Sequence, residues 1–184
     1  MIIIGITGTL GAGKGTIADF LVRKNGFKHF SVGGYLTKRL IRKGVKVDRD
    51  AMAKLGNELR TKFGSSYLAL ELYKEANKTG QKAIIESLRT PAEIEALKKA
   101  GTFYLFAVYA DQKIRYKRIV ARASKKDKVS FREFKSGEEK EIKNTNPNMQ
   151  NLEKCILMAD YKFDNNGTIK DLYEKVEKVI AKIT

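Results

Sequence analysis

Cysteine occurs once in the chain, at Cys155, so no internal disulfide can form and no cysteine cluster can hold zinc. Histidine also occurs once, and His29 is expected to be structural rather than catalytic. No apolar run approaches the ~20 residues that a bilayer-spanning helix needs. The apolar start at residues 2–6 has no basic segment before it and is expected to be a core strand of a cytoplasmic protein. Zinc fingers, RNA-binding aromatic motifs, internal repeats and low-complexity tails are likewise missing. Acidic residues are few, 21 against 37 Lys and Arg, which leaves a formal charge of +16. Such a charge can attract polyanions in general. The basic residues are spread along the chain with Glu and Asp between them, as on solvated helix faces. Specific nucleic-acid recognition and a membrane partner are therefore not expected.

With 184 residues, 42% hydrophobic and 32% charged, the chain has enough apolar content for one domain spanning 1–184. Five apolar runs bounded by turn signals, at 2–6, 28–31, 82–86, 103–108 and 161–164, alternate with helical patterns. That alternation predicts an α/β fold with a five-stranded parallel sheet covered on both faces. Thr90, Pro91 and Glu93 spell a helix start with a capping box, and another helix begins near Thr168 and Asp171. Cys155 falls on the apolar face of a short helical pattern with Leu152, Ile156 and Ala159. Two regions are too long or too polar to be plain crossovers. Residues 33–80 read as two or three helices that receive an acceptor. Residues 122–148, with the charged run 124–128 and an Asn-rich turn at 144–148, read as a helical lid.

The most informative segment is Gly8-Thr9-Leu10-Gly11-Ala12-Gly13-Lys14-Gly15-Thr16. It follows the first apolar run and opens a helical pattern. A strand, a glycine-rich turn and a helix N-terminus in series aim backbone N–H groups and the positive end of the helix dipole at one point, where phosphates can sit. Side chains at Gly8, Gly11, Gly13 and Gly15 would obstruct close approach, and Lys14 is expected to reach the outer phosphates as a mobile charge. Gly15 follows Lys14 where a magnesium-holding Ser or Thr is usual, and Thr16 comes one residue late. Thr16 is expected either to contact phosphate or to ligate Mg²⁺, the ion taking its other ligands from phosphate and water.

Two further groups carry candidate chemistry. Arg115, Arg118 and Arg122 share one side of the helix after the fourth strand, and Arg118 and Arg122 are expected to clamp a moving phosphoryl group. Glu86, at the carboxyl end of the third strand, is the only acid in its run. It is expected to orient a magnesium-bound water or accept a proton, with Arg89 three residues on to pair with an acceptor phosphate.

The spacing G-x-x-G-x-G-K-G-T resembles adenylate kinase and the wider nucleoside monophosphate kinase family. Residues 86–90 resemble that family's Asp-Gly-…-Arg-Thr element, with Glu86 in place of Asp. Residues 29–37 resemble its His-x-Ser-x-Gly-Asp-x-Leu-Arg segment, with Gly34 for Asp and Thr37 for Arg. Lys38, Arg39 or Arg60 could supply the missing charge. Leu55 to Arg60, followed by Phe63-Gly64, is also similar to deoxynucleotide kinase-like proteins. Residues 118–122 and 159–168 resemble dephospho-CoA kinase, and imply Asn165, Asn166 and Gly167 as adenine-side residues. These resemblances imply a P-loop NTPase three-layer α/β/α sandwich. Gly8, Gly11, Ala12, Gly13, Lys14, Gly15 and Thr16 would hold ATP, Thr16 and Glu86 would serve Mg²⁺, and Arg60 and Arg89 would bind the acceptor. The implied activity is ATP-dependent phosphoryl transfer to a nucleoside or deoxynucleoside monophosphate, by a monomer or weak homodimer. Dephospho-CoA is the rival acceptor, and a non-catalytic ATP-binding regulator contacting RNA or protein is the rival class. Residues 77–80 lack the Asp of a guanine-reading Asn-Lys-x-Asp motif, so a GTPase is not expected.

Overall fold

A computed structural model describes residues 1–122 and 129–184. The charged run 124–128 lies outside the described residues. The strands are β1 (Ile3–Gly8), β2 (Lys28–Ser31), β3 (Ala83–Glu86), β4 (Phe103–Tyr109) and β5 (Tyr161–Asp164). The helices are α1 (Lys14–Asn25), α2 (Val32–Arg42), α3 (Arg49–Phe63), α4 (Tyr67–Asn77), α5 (Pro91–Ala100), α6 (Gln112–Arg122), α7 (Phe131–Ile142), α8 (Leu152–Leu157) and α9 (Ile169–Ile183). The strands form one parallel sheet in the order β2-β3-β1-β4-β5.

Every residue of β1 is buried, as a central parallel strand covered on both faces requires. Period-two alternation divides its side chains between two cores. Ile4 and Ile6 join Ile84, Phe106 and Phe163 beneath α1 and α9. Ile3 joins Ile85, Leu88 and Leu105 on the opposite face with α2 to α5 and Cys155 of α8. Gly5 also belongs to that second face, where a Cβ would come within 2.5 Å of the Phe103 ring. The apolar run marked β1 only to residue 6, whereas the strand continues to Gly8. Pairing with β4 extends to Gly8 opposite Val108, close enough that a Cβ on Gly8 would lie 2.2 Å from the Val108 carbonyl oxygen.

Because all five strands run the same way, their carboxyl ends share one edge, where ligands of open α/β sheets bind. Local chemistry fixes what stands there. The capping box expected at α5 forms: Thr90 Oγ1 accepts from the Glu93 N–H at 3.2 Å, and Glu93 Oε2 accepts from the Thr90 N–H at 3.1 Å. The same carboxylate accepts from the Arg89 N–H at 2.7 Å. Its other oxygen takes Nε and Nη2 of Arg60 at 3.0 and 2.9 Å. Arg60 and Glu93 are 2% and 0% exposed. Thr90 Oγ1 also donates to the Ser65 carbonyl, and Thr7 Oγ1 of β1 donates to the Leu88 carbonyl. The turn after β3 is thereby fastened to α3, α5 and β1.

A guanidinium left in this core without its carboxylate keeps its desolvation cost and loses its compensation. Glu93→Ala is expected to lower the unfolding free energy by about 3–5 kcal/mol in urea titrations, whereas Glu95→Ala on the same helix should change it by under ~0.5 kcal/mol.

Candidate active site

Three glycines at the end of β1 and in the loop that follows take positive φ: Gly8 at 135°, Gly11 at 76° and Gly13 at 109°. Such a backbone is intrinsically unstable for other residues, and its carbonyls must be satisfied by the surroundings. Side chains do this. Lys14 Nζ donates to the carbonyls of Gly8 and Thr9 at 2.8 and 2.9 Å. Arg115 Nη1 donates to Leu10 O at 3.1 Å, and Asn165 Nδ2 donates to Ala12 O at 2.7 Å. A Cβ on Gly13 would lie 2.2 Å from that same Nδ2, so the glycine is what allows β5 to brace the loop.

With its carbonyls held, the loop delivers the chain into α1 at Gly13. No side chain caps this helix, unlike α5, α7 and α9, which each have a complete capping box. The first-turn N–H groups of α1 have no intrahelical acceptor and remain available to an anion. A Cβ at Gly15 would meet nothing within 4 Å, so the space beside this turn is open. Burial, reinforced by Arg89, pushes the Lys14 ammonium down to about 8, against the opposing pull of Glu86 and Glu141. An anion placed here would stabilise that strained positive charge.

Glu86 ends β3 beside this ammonium. Burial acts to raise its pKa, but the His29 hydrogen bond and the Lys14 charge prevail and hold the carboxyl below the usual range. His29 Nε2 lies 3.0 Å from Glu86 Oε2. Ser87 follows at φ 72°, in the left-handed region. The Asp-Gly element that this segment resembles has glycine at that position, so the serine keeps the turn at the expense of local strain. Arg89 extends past this turn to Gln150 and to Glu141 of α7, its Nη1 lying 2.6 Å from Glu141 Oε2.

A cleft of about 910 Å³ lies between the start of α3, represented by Asp48, Arg49 and Asn57, and the α7 face bearing Phe134, Glu138 and Glu141. A smaller cavity of about 100 Å³ shares Arg49, Glu141 and Gln150 with it and reaches Arg60, Ser87 and Arg89. The structure therefore gathers Lys14, Glu86 and Arg89 into one electrostatic neighbourhood at the sheet edge, next to a roomy cleft.

Other expected site residues stand differently. Arg60 borders the smaller cavity, but its Nε and Nη2 are committed to Glu93. Asn165 is buried against the loop, where it supports Ala12 and accepts from Arg118 Nη2 at 2.9 Å. Asn166 Oδ1 accepts from the Asp111 N–H, and Gly167 opens the turn into α9, close to Asp171. Arg122 is the exposed last residue of α6. The sequence reading assigned no role to Arg115 beyond its place beside Arg118, and none to Glu138, Glu141 or Gln150. The glutamates' i, i+3 spacing on one helix was the available signal.

Asn165→Ala removes the buried donor from the Ala12 carbonyl. An unfolding free energy lower by about 1–3 kcal/mol is expected in urea titration, together with weaker binding of tripolyphosphate by calorimetry.

Comparison with known proteins agrees with this architecture. The chain is 28% identical over 183 residues to the UPF0200 protein PAE1629 of Pyrobaculum aerophilum, covering 98% of each. Its fold is similar to that of TT1252 from Thermus thermophilus, with a TM-score of 0.63 and 22% identity over 100% of this chain and 98% of the other. It is also similar to shikimate kinase from Aquifex aeolicus, with a TM-score of 0.56 and 16% identity over 97% and 96%. The structural likenesses show the fold, a parallel α/β sheet flanked by helices, and do not single out the nucleoside monophosphate or dephospho-CoA kinases. The AAA domain family matches residues 4–144, and the chain belongs to that family.

Proposed function

We propose that the protein is an ATP-dependent kinase that phosphorylates a nucleotide-like acceptor, a nucleoside or deoxynucleoside monophosphate. The observation that carries this reading is the uncapped α1 N-terminus with the desolvated Lys14 ammonium, set beside Glu86 and Arg89, with Arg89 in a small cavity that shares Arg49, Glu141 and Gln150 with a cleft of about 910 Å³. Phosphoryl transfer asks the protein mainly for positioning and for positive charge around the moving group.

The loop amides of Gly11 to Thr16 and the Lys14 ammonium would hold the phosphates of ATP. Thr16 and Glu86 offer oxygen donors for Mg²⁺, which when bound would neutralise charge on the phosphates. No group of three or more His, Cys, Asp or Glu side chains suited to a metal exists among the described residues, so most ligands would come from phosphate and water. His29 holds the Glu86 carboxylate in one orientation and favours its ionised form. Arg118 Nη1 is buried with no hydrogen-bond acceptor, which leaves a donor for the transferred group, and Arg122 lies one helical turn further on. Arg89 would receive the acceptor's phosphate. The helices within 33–80 would receive the acceptor, and α7 with its flanks within 122–148 would cover the site and exclude water.

Incubation with ATP and Mg²⁺ against ribo- and deoxynucleoside monophosphates and dephospho-CoA, read by product mass, tests the reading. A phosphorylated nucleoside monophosphate is expected. Product from dephospho-CoA alone, or from no acceptor, contradicts it. Lys14→Ala should lower turnover by about 10²–10³-fold or more, a loss far beyond any fall in thermal midpoint, since freeing the Gly8 and Thr9 carbonyls is offset by removal of a desolvated cation.

Proton linkage supplies a second test. Lys14 titrates near 8 in the free protein, and bound phosphate would keep it charged to higher pH. Below that value the amine is protonated both free and bound, so ATP affinity should be flat. Above it the free protein must take up a proton to bind, so affinity should fall by up to about tenfold per pH unit. Lys14→Met should abolish this slope in calorimetric titrations.

A further inference from the structure

Three arginine–glutamate pairs stand near the loop or the turn after β3 among the described residues, and they differ in how firmly they are closed. Arg60 and Glu93 are 2% and 0% exposed, with the carboxylate accepting four hydrogen bonds. Arg115 and Glu138 are 7% and 6% exposed, and the guanidinium also bonds the carbonyls of Ala110 and Leu10. Both pairs are braces, since parting them would bury a charge without compensation.

The third pair is open. Arg89 and Glu141 are 20% and 24% exposed, and both line the smaller cavity where it meets the larger cleft. The main chain of Arg89 is fixed, its N–H by Glu93 and its carbonyl by the Asn151 N–H at 2.8 Å. Its head is held only by side chains, the Glu141 carboxylate and the Gln150 amide oxygen. A guanidinium fork suits carboxylate and phosphate oxygens alike. A carboxylate resting on an accessible guanidinium in a cavity of about 100 Å³, room for a phosphate group, occupies the place of an anionic ligand.

We infer that Glu141 is a specificity-determining residue: it keeps Arg89 paired until an acceptor carrying its own phosphomonoester displaces it. This rests on the kinase reading above. A neutral hydroxyl acceptor brings no charge to exchange and leaves the pair in place, so α7 selects for acceptors that are already phosphorylated. The selection is local to Arg89, because the Arg115–Glu138 brace holds α7 by a different turn.

Inorganic phosphate is the probe. It is titrated calorimetrically into protein saturated with Mg²⁺ and a non-hydrolysable ATP analogue, so that the loop is filled and the acceptor side is read. Glu141→Gln should bind phosphate about two- to fivefold more tightly than wild type, the range expected for releasing a partly exposed ion pair. Glu141→Ala should behave alike, and Arg89→Gln added to either should abolish the gain. Unchanged or weaker phosphate binding in both Glu141 variants, or a gain that survives Arg89→Gln, overturns the inference. Failure of the ATP analogue to bind would overturn the kinase reading instead, and the same titration of nucleotide-free protein would still read the exchange at Arg89.

Discussion

The glycine-rich loop between β1 and α1 keeps its shape because polar side chains hold its carbonyls. Three glycines at positive φ make the loop unable to support itself. Asn165 holds Ala12, Arg115 holds Leu10, and Lys14 holds Gly8 and Thr9. Each of these bonds lies in a buried or partly buried setting, where an unsatisfied carbonyl costs more than the bond itself contributes. Of the loop's N–H groups, that of Ala12 donates to the Thr9 carbonyl at 3.3 Å, and the helix the loop opens has no side-chain cap. The proposed anion binding rests on a division of labour, with loop carbonyls held by side chains and the first-turn amides of α1 left without a side-chain cap.

The same side chains connect the loop to its surroundings. Arg115 bonds the loop with one nitrogen and Glu138 of α7 with another. Asn165 accepts from Arg118 through its carbonyl while its amide holds Ala12. On the acceptor side, Glu93 secures the Arg89 main chain, and Arg89 meets α7 at Glu141. Among the contacts of helix α7 are two arginine pairs of unequal exposure, a sealed pair near the loop and an accessible pair at the cleft. That inequality gives the cleft a fixed end and an exchangeable one.

Where local rules decide the structure, the sequence was readable. All five strands lie where apolar runs met turn residues, and the α5 and α9 capping boxes form as Thr90, Glu93, Thr168 and Asp171 implied. The loop could be located because glycine spacing and a following helix are both visible in a short window. Side-chain partners far apart in sequence were not visible. Arg60 reads as an acceptor-binding cation, and its buried neighbour Glu93, 33 residues away, makes it part of the core instead. Asn165 reads as a turn residue, and its bond to Ala12 spans 153 residues. Glu138 and Glu141 look like two solvated acids on a helix with Lys135 and Lys140, and tertiary placement alone turns them toward arginines.

The central claim is that the amides from Gly11 to Thr16 form an anion cradle at the head of α1. Amide hydrogen exchange of that segment, measured with and without ATP and Mg²⁺, tests it most directly. The account predicts slower exchange at these amides on nucleotide addition, and no such slowing in Lys14→Ala at the same nucleotide concentration. Exchange across residues 11–16 that is unchanged by saturating ATP would contradict it.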